Sequence, residues 1–141
     1  MSATDAREVL ILNSQFGGGA TTWAPATWFV ALSTTTPNDD GSNFTPPSGG
    51  SYARVSKTNN TTNWGATATT DGSGVTSCKN ATAITFPTPT ADWGVITHAG
   101  LYTASSGGTP EYVIELDTPI TVRNGNTPVE FAINQLVITC S

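Results

Sequence analysis

Ala83 to Gly108, AITFPTPTADWGVITHAGLYTASSGG, is the stretch whose reading decides the fold. It holds an apolar strand at Ile84 and Phe86, a proline–threonine corner, a long run from Trp93 to Tyr102, and a Ser-Ser-Gly-Gly turn. Pro87 and Pro89 end the first strand, because proline has no N–H for a central ladder. In the long run Trp93, Val95, Ala99 and Leu101 are apolar at odd positions, but Ile96 and Tyr102 are apolar too. Strict alternation therefore fails. Either both faces are covered or a bulge near Gly94 shifts the register. The stretch is expected to form the central strand pair of a sandwich, with Gly94 and Gly100 as bulge or close-packing points.

Working outward, Tyr112-Val-Ile-Glu-Leu116 pairs back with Tyr112, Ile114 and Leu116 facing in. Ile120 to Arg123 leads to Asn124-Gly125-Asn126, read as a hairpin turn because Asn-Gly supplies the positive φ that tight turns need. Val129 and Phe131, then Leu136, Ile138 and Cys140, complete the C-terminal strands. Upstream, Trp28 to Leu32, Tyr52 to Lys57 and Val75 to Lys79 read as strands. Polar loops separate them at 33–51 and 58–74, and loops of such length are often functional. Eight or nine short strands at regular spacing predict an all-β fold, an antiparallel β-sandwich or jelly roll, over residues 28–140. The 141 residues make one domain, with no internal repeat.

Residues 3–16 are the single helical stretch. Ser2 is the expected N-cap, and Ala6, Val9, Leu12 and Phe16 recur at helical spacing with Leu10 alongside. Gly17 is the expected C′ residue of a Gly-Gly-Gly stop. Two roles fit: a lid over an open end of the sandwich, or a docking or trimer-contact element.

Charged residues are only 11% of the chain, against about 25% in a typical soluble domain. Thr, Ser and Asn must supply the polar surface, which suits pleated, half-exposed strands. The net charge of −5, with Arg7, Arg54, Lys57, Lys79 and Arg123 scattered, argues against nucleic-acid binding. No apolar run is long enough to span a bilayer, and the N-terminus lacks the basic-then-apolar pattern of a signal peptide. Synthesis in a cytoplasm is expected, with Cys78 and Cys140 as reduced packing thiols. The Asn-x-Thr triplets at Asn43, Asn59, Asn60 and Asn80 are then chance matches.

Chemistry-bearing residues are sparse. His98 is the single histidine, and its nearest acid in sequence is Asp92; no nucleophile and orienting group can be nominated for it. Asp39-Asp40-Gly41 resembles a calcium loop without its spaced ligands and closing glutamate. Glu111, Glu115 and Asp117 lack a cleft feature and read as exposed acids rather than glycosidase carboxylates. Trp28 and Trp93 fall in strands and are expected in the core. Trp23 and Trp64 fall in loops, where partner contact and loop packing both fit. No catalytic residue, cofactor or metal site is assigned, so no enzyme is expected. The candidate protein contacts are Leu10, Phe16, Trp23, Phe44 and Trp64.

Several motifs are shared in order with a known family. They are Ala24 to Pro37 (APATWFVALSTTTP), Gly49-Gly-Ser-Tyr-Ala-Arg54, Ile84-Thr-Phe-Pro87 and Trp93-Gly-Val-Ile-Thr-His-Ala-Gly-Leu-Tyr102. Tyr112-Val-Ile-Glu-Leu, Thr118-Pro-Ile-Thr-Val122 and the closing Leu136-Val-Ile-Thr strand follow. From about residue 5 to 140 the chain resembles small tailed-phage virion proteins often labelled tail fibre proteins. It departs by its tripled glycine and by Pro128. The resemblance implies a virion component without catalytic residues. A capsid cement or decoration protein bound to the major capsid protein is the expectation, because 141 residues leave no room for an elongated shaft. The alternative is a tail fibre or baseplate component contacting the host surface. A homo-oligomer, as a trimer, suits such a role.

Overall fold

In a computed structural model, the structure describes residues 3–16, 24–65 and 68–140. The elements in chain order are α1 (Asp5–Gln15), β1 (Thr27–Ser33), β2 (Val55–Thr58), α2 (Thr61–Trp64), β3 (Thr69–Thr70) and β4 (Thr76–Lys79). After them come β5 (Ile84–Thr85), β6 (Gly94–Tyr102), β7 (Tyr112–Val122), β8 (Glu130–Phe131) and β9 (Val137–Cys140). A four-stranded sheet runs β2-β1-β6-β7, a three-stranded sheet runs β3-β4-β9, and β5 pairs with β8. Every strand pair is antiparallel. The main sheet contributes Val30, Leu32, Ile96, Ala99 and Leu101 to the core; Trp64, Ile84, Phe86, Phe131, Leu136 and Ile138 complete it. The fold is an all-β sandwich with one short N-terminal helix.

β6 is one of the two interior strands of the main sheet, and its broken alternation has two causes. The core face passes from Ile96 to Ala99 and Leu101, an odd step that no regular strand permits. The irregularity lies opposite Thr97, not at Gly94: Ile96 faces Ile120 while His98 faces Glu115, so β7 carries extra residues there. Gly94 has φ +85 and open space around it. Beyond the irregularity, His98 to Tyr102 is buried throughout, covered on its second face. Phe44, in the loop after β1, lies on Gly100 so closely that a Cβ there would sit 2.5 Å from its ring.

Several expectations need correction. β5 and β6 do not pair; they lie in different sheets, because the corner at Pro87–Asp92 turns the chain across the sandwich. The expected strands 112–116 and 120–123 are one long strand, β7. Arg123 to Asn126 is a tight turn with Gly125 at φ +75, but it joins strands of different sheets and is no hairpin. The 58–74 loop holds α2, N-capped by Asn60 whose side chain accepts from the Asn63 amide, and the hairpin strand β3. The 33–51 loop has no regular element but is heavily bonded. Ser33, wholly buried, accepts from the Thr45 amide and donates to the Thr35 carbonyl. Asp40 accepts from the Ser42 amide at 2.8 Å, and its bonds to Ser42 hold its carboxyl below the ordinary range.

Candidate interaction surface

α1 is tied to the sheet by its first residues. Ala3 bridges Tyr112 on the outer edge of β7, and the Thr4 amide donates to the Glu111 carbonyl at 3.0 Å. Thr4, not Ser2, is the N-cap; its hydroxyl donates to the Pro110 and Glu111 carbonyls and accepts no bond from the first-turn amides of α1. Ser2 and the Gly17 stop lie outside the described residues.

The face turned inward differs from the one expected. Arg7 is 1% exposed. Its Nε lies 3.1 Å from a carboxylate oxygen of Glu111, and its guanidinium sits 5.1 Å over Trp28 and 5.5 Å over Tyr112. An arginine stem against two aromatic faces, with a carboxylate at its head, is a stable way to bury a charge. With Arg7 inward, residues nine, twelve and sixteen fall about 140–200° around the axis at 3.6 residues per turn. Ala6, Val9, Leu12 and Phe16 accordingly face solvent, and whatever α1 covers it covers with Arg7 rather than with its apolar stripe. Leu10 is half-buried, at helical spacing from Arg7 and off the outward stripe.

The remaining contact candidates separate. Phe44 is half-buried, edge-on to Tyr102 with centroids 5.4 Å apart. On Tyr102 Arg54 stacks at 3.5 Å, while donating to the Ala104 and Gly107 carbonyls. That cluster clamps the 33–51 loop to the sheet. Trp64 is 7% exposed and belongs to the core, since α2 turns its ring inward from a polar sequence. A Trp64→Ala change would therefore damage folding, and it cannot isolate binding. Trp23 lies outside the described residues.

His98 is buried beside acids that are remote in sequence. It faces Glu115 across the strands, its Nδ1 lies 2.8 Å from the Thr97 hydroxyl, and Pro37, Asn38 and Asp39 border the same depression of about 260 Å³. Burial lowers its pKa, with Glu115 opposing. Asp92, the acid nearest in sequence, instead accepts from the Asn124 amide. Glu111 is not an exposed acid either, being paired with Arg7. Cys78 is a free, half-buried thiol, and burial raises its pKa. A shallow groove of about 590 Å³ runs between β7 and the β8–β9 segment, bordered by Ile114, Leu116, Ile120, Glu130 and Gln135.

Sequence reading missed Arg7 and Asn80 as organising residues. Local sequence carries no signal for either, because their partners lie far along the chain.

The surface thus combines an outward apolar stripe on α1 with a loop pinned to the sheet. No curated protein matches the chain significantly. A family model described as podophage GP4 fiber I protein gp80 matches residues 2–139. Nearly the whole domain is covered, and the chain belongs to that family of tailed-phage virion structural proteins.

Proposed function

We propose that the protein is a non-enzymatic component of a phage tail fibre, a compact β block that assembles with other tail proteins. The match of residues 2–139 to a family described as a fiber protein carries this reading. The rigid sheet and the clamped 33–51 loop support it, since they offer a fixed scaffold for contacts. His98 acts in packing under the Pro37–Asp39 turn, and no reaction is assigned to it. The protein is made in the host cytoplasm and works as a homo-oligomer, with a trimer as the first symmetry to test.

A second reading is capsid cement, seated on the major capsid protein. One observation favours it: the described residues form a sandwich of short strands without a shaft-forming element. Copy number separates the two. Quantitative mass spectrometry of purified virions, with localisation by electron microscopy, should find few copies confined to the tail. Hundreds of copies on the head, in fixed ratio to the major capsid protein, would overturn the fibre reading in favour of cement.

A further inference from the structure

We propose that the outward face of α1 is a docking helix that seats in an apolar, basic-rimmed groove on another virion protein. The inference rests on the virion-structural reading above and adds the surface and the chemistry of its partner. Val9, Leu12 and Phe16 are 55%, 59% and 80% exposed. They are spaced three and four residues apart, so Val9 and Leu12 line one stripe of α1 and Phe16, its C-cap, whose amide still donates to the Leu12 carbonyl, continues it. A contiguous exposed apolar stripe on an otherwise polar domain marks an interaction site, and helix-in-groove recognition uses this spacing. From behind, α1 is held by the Arg7–Glu111 pair and the Ala3–Tyr112 bridge. The stripe is therefore presented on a fixed support, which lowers the entropy lost on docking.

Two observations select the occupant over a second copy of this chain. Asp5 lies four residues before Val9 and continues the same stripe, so parallel copies would bring like carboxylates together. Area argues the same way. Three partly exposed side chains offer on the order of 300 Å², so two copies meeting only there fall well short of the ~1,200 Å² of a stable interface. A concave groove instead covers the flanks of the helix as well as the stripe. Charge completes the match. Asp5 and Glu8 are exposed in the first turn, whereas Arg7, the one base of α1, is turned inward. Lysine or arginine on the groove rim would complement that acidic end.

The test replaces Val9, Leu12 and Phe16 together by serine, with Phe16→Ser alone as a milder variant. Expected are an unchanged melting temperature and sedimentation, with about tenfold or greater loss of copies per purified virion, a factor small for a hydrophobic anchor. In intact virions, a photo-crosslinking side chain at position 16 should capture a different virion protein. Wild-type loading of both variants, or capture of a second copy of this chain, would overturn the docking groove. Capture of a head protein would support the docking face while sinking the fibre assignment. Normal loading of the serine variants onto the tail would do the reverse.

Discussion

Asn80 shows how one polar residue can hold the sandwich together. It is wholly buried; its side-chain amide donates to the Thr82 and Ala132 carbonyls at 2.9 Å, and its carbonyl accepts from the Leu136 amide at 2.8 Å. These bonds join the end of β4 to both segments flanking β9 and β8. Asn80→Ala should cost about 2–3 kcal/mol in urea unfolding, because several buried backbone groups lose their partner at once. His98 makes a different prediction. Burial lowers its pKa from the ordinary 6.5, so the unfolded chain takes up a proton at higher pH than the folded one. Its contribution is complete above pH ~6.5 and is lost as pH falls toward the lower folded value. Between pH 7.5 and 5.5 the wild type should lose more stability than His98→Gln; equal slopes would remove His98 as the cause. In the sequence, Asn80 read only as part of a chance triplet, since its role depends on residues some fifty positions away.

Among the elements, β1, β6 and β9 were legible because large apolar side chains mark them. α1 was legible as a helix but not in its orientation. Spacing identifies an apolar stripe; it does not say whether the stripe meets the protein's own core or something else. That was settled by Glu111, Trp28 and Tyr112, which hold Arg7 inward and so turn Val9, Leu12 and Phe16 outward. Arg7→Ala should leave Glu111 partly buried without its charge partner, at a cost of about 3 kcal/mol. Hydrogen exchange should then accelerate across residues 5–15 while β6 amides stay protected. Uniform acceleration through both elements would mean that α1 is part of the global folding unit instead. Trp64 stayed open between partner contact and packing for a related reason. A polar stretch predicts a loop, but a single capped turn is enough to carry one large ring into the core.

At the scale of the molecule, contact with the rest of the virion should depend weakly on salt. Charged side chains are few, and the exposed stripe of α1 is apolar. Attachment should survive about 0.5 M sodium chloride, where screening confines surface charges to a few ångströms; release at that concentration would show that ion pairs dominate. The sequence by itself determined the strand-rich class, the N-terminal helix and, through the order of its motifs, the kinship. Those follow from local side-chain chemistry: branched and aromatic residues for strands, glycine and proline for turns. Only the tertiary structure decided which strands pair, where β6 changes its core face, which side of α1 is buried, and that Trp64 is core. Each depends on groups brought together from distant parts of the chain, and pairing, packing and burial of a charge are properties of that meeting.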